Sequence, residues 1–326
     1  MTEAEARRTL VDAGRRLLAE GLVARSWGNL SIRLNSETMA ITPSGIPYLE
    51  LKEEMIVLVD LQTGDWSGPW KPSGERKVHR EIYLRRPDVE AIVHTHQNAG
   101  SACAAARITV TCPWGETPCA AYGLPGTKAL SKATAKALGD GPAVLMANHG
   151  AFTVGNNLNQ AFERIRTLET ACAELLATKA SAPLPARADA QWDSSLLAPL
   201  SLADGYPVLV SSAPFTSSWA KRGKPLKATL DDLAQLVGPK VPVASGLPDR
   251  RPKTDALFVK GVGLIVCGSD AEAVAMVVEK AARATIGGEA LGGAVAIPGW
   301  EARLMRWVYK NSYAKLAAKS KKANAG

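Results

Sequence analysis

The spacing of apolar and polar positions changes several times along this chain, and each change predicts an element. MTEAEARRTLVDAG (1–14) carries its apolar residues at helical spacing and predicts an amphipathic first helix rather than a signal peptide. GLVARSWGNLSIRL (21–34) alternates around Gly28–Asn29, which predicts a hairpin-like entry into a sheet. TMAITPSGIPYLEL (38–51) and EMIVLVDLQTGDW (54–66) read as two more strands, parted by turn-forming Pro, Ser and Gly. PSGERKVHREIYLRR (72–86) turns helical, with Pro72 and Ser73 at its start and Val78, Ile82 and Tyr83 on one stripe, and it stops at Pro87. VEAIVHTH (89–96) is a short strand, NAGSACAAAR (98–107) and GTKALSKATAKAL (126–138) are helices, AVLMANHGAFTVG (143–155) is a strand broken at Gly150, and residues 157–180 form a long helix. Interleaved strands and helices of this kind make an α/β domain.

The stretch ASAPLPARADAQW (180–192) reads as a boundary. The organisation expected is a first domain over 1–180, a linker at 181–195, a second and smaller α/β domain over 196–310, and a tail at 311–326. In the second part PVLVSS (207–212), TLDDLAQLVG (229–238), ALFVKGVGLIVCG (256–268) and DAEAVAMVVEKAARATIGG (270–288) predict strand, helix, strand and helix. LMANHGAFTVG followed by a helix is loosely matched by LFVKGVGLIVCG followed by a helix, which suggests a degenerate repeat of the first fold.

Composition narrows the class. With 326 residues, 46% of them hydrophobic and 21% charged, the chain can bury a sizeable core. No apolar run reaches the roughly 18–20 residues of a membrane span. A cytoplasmic location is the expectation, with no membrane partner. The net charge of +8 is C-terminal: residues 1–180 hold 20 basic and 19 acidic side chains, and the tail from Lys310 has five lysines and no acid. No basic stripe interleaved with aromatics marks a nucleic-acid surface. The five cysteines form no CxxC pair and read as reduced thiols.

The chemistry is concentrated in the histidines. All four, His79, His94, His96 and His149, fall between residues 79 and 149. Side chains at i and i+2 of a strand share a face, so His94 and His96 can reach one ion, and His149 sits in an NHG turn able to aim an imidazole at a neighbouring strand end. Alone, such a pair is as readily a packed feature of a core strand. Three imidazoles with an open position make a catalytic metal site. A cupin would also use His-x-His, but it needs a nearby glutamate and an all-β pattern, and QNAGSACAAAR here is helical and acid-free.

SWGNLSIR, ITPSGIPY, KPSGERKVHREIY, VHTH, CAAYGLPGTKAL and NHGAFTVGNNLNQAFERIRTLE, in that order, resemble the class II aldolase/adducin family over nearly all of residues 1–180. The resemblance implies a three-layer α/β/α domain with a mixed central sheet, and a zinc-dependent aldolase that cleaves or forms a ketose phosphate through a metal-stabilised enediolate, giving dihydroxyacetone phosphate and an aldehyde. It implies His94, His96 and His149 as ligands of Zn2+, with Mn2+ or Co2+ as alternatives, Glu75 as the base, and Tyr122 as the group handling the proton on the aldehyde oxygen. It also implies a homo-oligomer, and if the second domain is a copy standing in for a neighbouring subunit, the expected assembly has fewer chains, for instance a dimer of two-domain chains. The expected phosphate cradle is Gly28, Asn29, Ser44, Gly45, Ser73 and Gly74, since small residues let backbone N–H groups approach an anion. Gly74 departs from the serine of the fuculose-phosphate aldolases, which weakens a full phosphate grip. His79 is placed as a partner of Glu75 or a plain core histidine, and Arg25 and Lys128 as solvated cations. Other members of the family decarboxylate sugar-acid phosphates or epimerise pentulose phosphates, and adducin heads are interaction modules without activity. The glutamate at 75 favours the aldolases over the epimerases, which carry an aspartate there.

Overall fold

A computed structural model describes residues 1–23, 27–180, 208–211, 213–248 and 252–313 of the chain. The expected linker at 181–195, Arg25, and the tail from residue 314 lie outside the described residues. Two compact units are present, the first built from Met1–Leu176 and the second from Ala177–Ser312.

In the first unit α1 (Glu3–Ala19) opens with a capping box, Thr2 and Glu5 each satisfying the other's backbone N–H. The strands β1 (Asn29–Arg33), β2 (Thr38–Ile41) and β3 (Val57–Asp60) follow as an antiparallel meander. Next come α2 (Arg76–Arg85), β4 (Ala91–Thr95), α3 (Asn98–Ala106), the hairpin of β5 (Val110–Cys112) and β6 (Gly115–Thr117), β7 (Cys119–Ala120), α4 (Lys128–Leu138), β8 (Ala143–Met146), β9 (Ala151–Gly155) and α5 (Leu158–Lys179). The seven-stranded mixed sheet has the order β3-β2-β1-β4-β9-β8-β7.

Helices cover both faces, which is why β4, β8 and β9 are buried at every position instead of alternating. Val78, Ile82 and Tyr83 of α2 and Leu130 and Leu138 of α4 pack on Met39, Ile41, Ile92, Val144, Phe152 and Val154. The other face carries Leu30, Val93 and Ala151 under α1, α3 and α5, and Thr153 there donates to the Ala161 carbonyl of α5 at 2.8 Å. Burying a side chain the size of Phe152 or Ile82 stabilises the fold by about 1.5–3 kcal/mol.

The sheet directions gather the chemistry at one edge. β4 is antiparallel to β9, β9 to β8, and β8 is parallel to β7, so the C-terminal ends of β4, β8 and β7 face the same way. Asn29 at the start of antiparallel β1 pairs with His94 near the end of β4. His96, His149, Tyr122 and Gly28–Asn29 therefore leave the sheet at a common edge.

Two sequence expectations for the first unit are corrected. The β1–β2 turn is at 34–37, closed by the Asn35 side chain on the N–H groups of Glu37 and Thr38, and not at Gly28–Asn29. The second helix begins at Arg76 and not at Pro72, because Pro72 bridges Pro43 and the Ser73 N–H is bound by the Thr42 carbonyl at 3.1 Å, which holds 72–73 extended.

The second unit holds β10 (Val208–Ser211), α6 (Pro214–Lys221), β11 (Leu226–Lys227), α7 (Asp231–Leu236), β12 (Lys240–Val241), β13 (Val243–Ala244), β14 (Ala256–Val259), β15 (Gly263–Cys267), α8 (Ala271–Ala290) and α9 (Gly299–Val308). The single strand expected at 256–268 is a hairpin, turned at Gly261. Its four-stranded sheet has the order β10-β15-β14-β13, paired antiparallel, antiparallel and parallel. The run β4-β9-β8-β7 of the first unit is paired in the same sequence. No described helix is long and apolar enough to cross a membrane.

Candidate metal centre

Two glycines let the segments around the histidines close on one another. Gly28 has φ +79°, and a Cβ there would lie 2.5 Å from the His94 carbonyl oxygen, so the start of β1 can lie against the end of β4 only without a side chain. At Gly150 a Cβ would lie 2.2 Å from the Thr95 carbonyl oxygen and 3.2 Å from a ring carbon of His96. That glycine lets the β8–β9 turn close over the end of β4 and carries His149 onto His96.

Four donor atoms converge there. Nε2 of His94 lies 2.9 Å from Nε2 of His96 and 3.2 Å from Nε2 of His149. The Glu75 carboxylate reaches Nε2 of His94 at 2.8 Å and of His149 at 2.9 Å. All three imidazoles are buried, and Glu75 is 14% exposed at its side chain. His94 stacks on Phe152 with 4.3 Å between ring centroids.

The hydrogen bonding shows what this cluster fits. His94 Nδ1 lies 2.9 Å from the Ala151 carbonyl oxygen, which can only accept, so Nδ1 carries the proton and Nε2 is a bare lone pair. That lone pair faces another imidazole nitrogen and a carboxylate oxygen, an arrangement that suits a cation among them. Four ligands at the roughly 2.0–2.1 Å of zinc sites are about 3.3 Å apart in a tetrahedron. The observed 2.9 and 3.2 Å fall within a few tenths of an ångström of that spacing. Burial lowers the His94 pKa, favouring the neutral ligand form. For Glu75 burial acts to raise the pKa, and the opposing pull of His94 and His149, which acts only while those rings carry charge, sets the carboxyl well below its usual range.

Glu75 stands at the N-cap of α2. Its N–H donates to Ser73 Oγ at 3.2 Å, and Asn29 Nδ2 donates to its Oε2 at 2.8 Å. Ser44–Gly45 and Ser73–Gly74 are strapped together by the Pro43–Pro72 bridge and by the Ser44 N–H on the Lys71 carbonyl at 2.8 Å. The Ser44 and Ser73 N–H groups are thus engaged within the chain, and both ends of the Asn29 amide face inward, toward Glu75 and His79. Gly45, with φ +75°, is exposed, with open space where a Cβ would project.

Tyr122 lies half-buried two residues beyond β7, its ring 5.7 Å from the Arg107 guanidinium. Lys77 of α2 donates to the Gly126 carbonyl at 3.0 Å and holds the loop that carries Tyr122. The spacing of motifs did not reveal the Arg107–Asn148 clasp. Both residues have positive φ, 57° and 63°, and Arg107 NH2 donates to Asn148 Oδ1 at 2.8 Å, immediately before His149. Nor did it reveal Glu169 of α5, whose two carboxylate oxygens accept from Ala99 N at 2.8 Å and Gly100 N at 2.9 Å in the first turn of α3, just after His96. Lys128 is exposed at the start of α4.

The family described as Class II Aldolase and Adducin N-terminal domain matches residues 8–176. The 5-deoxy-D-ribulose 1-phosphate aldolase of Bacillus thuringiensis serovar kurstaki is 34% identical over 178 residues, 52% of this chain and 83% of that protein. The 3-oxo-tetronate 4-phosphate decarboxylase of Pectobacterium atrosepticum is 33% identical over 180 residues, 52% of this chain and 82% of that protein. In structure the chain is similar to L-fuculose 1-phosphate aldolase, with a TM-score of 0.51 at 32% identity over 55% of this chain and 87% of that one.

Proposed function

The chain belongs to the class II aldolase and adducin family; on that premise we propose that it is a metal-dependent aldehyde-lyase that cleaves a ketose phosphate to dihydroxyacetone phosphate and an aldehyde, and runs the reverse condensation. The convergence of Glu75, His94, His96 and His149 carries the reading. The three imidazoles would hold a divalent ion, with zinc suited to this donor set and manganese or cobalt as alternatives. Bound there, the ion supplies a Lewis acid for the oxygens beside the carbon that loses its proton.

The protein's own groups do the rest. Glu75 moves the proton at the carbon next to the carbonyl, and Asn29 orients its carboxylate. Tyr122 takes the proton from the hydroxyl that becomes the aldehyde and returns it in condensation. Ser44, Gly45, Ser73 and Gly74, with Gly28, form the end of the site that takes the phosphate; Asn29, expected in that cradle, has both ends of its amide engaged by Glu75 and His79. A retained metal triad with its carboxylate has no use in a pure interaction module, which disfavours that alternative. The decarboxylase relative, 33% identical beside 34% for the aldolase, supports decarboxylation of a sugar-acid phosphate as the second reading.

For the chain as a whole the reading is a catalytic domain over 1–180, a linker at 181–195, a degenerate second copy over 196–310 and a basic tail at 311–326, in a cytoplasmic homo-oligomer. Matching backbone bonds support the copy. Leu145 N to Pro118 O, Ala147 N to Ala120 O and Val154 N to Pro142 O recur as Phe258 N to Pro242 O, Lys260 N to Ala244 O and Cys267 N to Asp255 O. The positive φ of Asn148 recurs at Gly261. Glu279 accepts from Phe215 N and Thr216 N, at 3.0 and 2.7 Å, as Glu169 does in the first unit. In this register Val210 stands where His94 does, and Val262 where His149 does.

Proton NMR of dihydroxyacetone phosphate in heavy water with zinc-loaded protein tests the chemistry without the unknown aldehyde. Deuterium entering the carbon next to the carbonyl, and failing to do so with Glu75→Gln, supports the aldolase. No exchange by a metal-loaded protein removes dihydroxyacetone phosphate as product and leaves decarboxylation.

A further inference from the structure

Beneath Glu75 runs a line of four buried polar side chains that the reaction does not use directly. Tyr83 OH lies 2.8 Å from Ser31 Oγ, Ser31 Oγ lies 2.6 Å from His79 Nδ1, and His79 Nε2 contacts Asn29 Oδ1. Asn29 Nδ2 ends the line on Glu75 Oε2. Ser31 and His79 have no exposure, Tyr83 has 1% and Asn29 5%.

The proton positions follow from the last link. A carboxylate only accepts, so the Asn29 amide must present its NH2 to Glu75 and its oxygen to His79. The reversed amide would set oxygen against oxygen in a buried site and leave the carboxylate without its donor. With Asn29 oriented this way, His79 carries its proton on Nε2, its Nδ1 accepts from the Ser31 hydroxyl, and Ser31 accepts from Tyr83. Every link donates toward Glu75. Burial first, and then the neighbouring His94, pulls the His79 pKa down to about 3, so the ring stays neutral, and its partners on the two nitrogens select the tautomer.

We infer that Tyr83, Ser31 and His79 form a one-way hydrogen-bond chain that orients the Asn29 amide and through it aims the Glu75 carboxylate at the histidine cluster. The three are positioning residues, and the assignment of consequence rests on Glu75 being the base. β1 carries Ser31 and Asn29 two apart on one face, and Glu75 at the N-cap of α2 is followed by His79 and Tyr83 at successive turns of that helix, so one helix docked on one strand builds the whole line.

Two measurements test this on the intact, zinc-loaded chain. Long-range 1H–15N correlation of protein labelled in its four histidine rings reads the His79 tautomer, with the ring assigned by its absence in His79→Gln. The Nε2–H form is expected in wild type, and a mixture of tautomers in Ser31→Ala. An Nδ1–H ring in wild type overturns the direction of the chain whether or not the protein turns over sugar phosphate. If the protein is active, Ser31→Ala and the isosteric Tyr83→Phe lower kcat by roughly 10- to 100-fold with KM and zinc content unchanged, and Ser31→Thr recovers most of the loss. Unchanged kcat in both variants, with only thermal stability lowered, overturns the positioning role. A Nε2–H ring in a protein inactive on every ketose phosphate would instead sink the aldolase reading and leave the chain's direction intact.

Discussion

The Cβ that Gly150 lacks would sit 2.2 Å from the carbonyl oxygen of Thr95, so the turn carrying His149 closes over the strand carrying His94 through the absence of one carbon atom. Neither partner is a flexible side chain, so the backbone would have to part. Gly150→Ala should therefore cost about 1–3 kcal/mol and should also weaken metal binding, because the displaced segment bears a ligand. Urea unfolding followed beside a zinc titration checks both. A variant that binds zinc as wild type does would mean that the turn is not what sets the ligand spacing.

How much of this was readable in the chain depends on sequence distance. His94 and His96 lie two positions apart at the end of an apolar run, and the strand period alone puts them together. His149 is beside a turn-forming glycine, and Glu75 was placed by the motif around it. The supporting contacts join residues 41, 48 and 70 positions apart: Arg107 with Asn148, Ser31 with His79, and Ala99 with Glu169. No local period encodes such pairs, because they exist only once the sheet order is set. The start of α2 was misplaced for a related reason: Pro72 and Ser73 have good helix-start character, but a bridge to Pro43, distant in sequence, holds them extended.

The Glu169 clamp and its counterpart predict separable effects. Glu169→Gln and Glu279→Gln each leave a neutral acceptor where a carboxylate faces two N–H groups at a helix start, at about 1–2 kcal/mol each. Only Glu169→Gln should also lower zinc affinity, since the first turn of α3 follows His96 directly. Calorimetric unfolding of both variants with and without zinc distinguishes them. Equal zinc responses would break the proposed link between α3 and the metal ligands.

Zinc stoichiometry tests the degenerate copy. All four histidines lie in residues 79–149, and the second unit has valines at the positions matching His94 and His149. Elemental analysis of protein reconstituted after chelation should give one zinc per chain. Because the ion binds only the folded cluster, its removal should lower the unfolding free energy, by about 4 kcal/mol for zinc at a thousand times its Kd, and adding zinc back should restore it. Two tightly bound ions per chain would show that the second unit has kept a site of its own.

His79 also makes stability depend on pH in a direction that can be worked out. Its folded pKa of about 3 lies below the roughly 6.5 of an unfolded chain. Between those values the unfolded state binds a proton that the folded state refuses, so falling pH favours unfolding. The contribution is fully present above about pH 6.5, is lost as pH falls toward 3, and changes no further below that. At about 1.4 kcal/mol per pH unit, the protein should be roughly 2 kcal/mol less stable at pH 5 than at pH 7 from this group alone. Because other groups also contribute to the pH dependence, the informative quantity is the difference between wild type and His79→Gln in chelator, measured by urea unfolding from pH 5 to 8. The variant should be less stable at pH 7, having lost the Nδ1 and Nε2 bonds, yet flatter with pH. Parallel curves would mean that His79 takes up a proton in the folded protein, and the neutral ring required by the chain from Tyr83 to Glu75 would then be wrong.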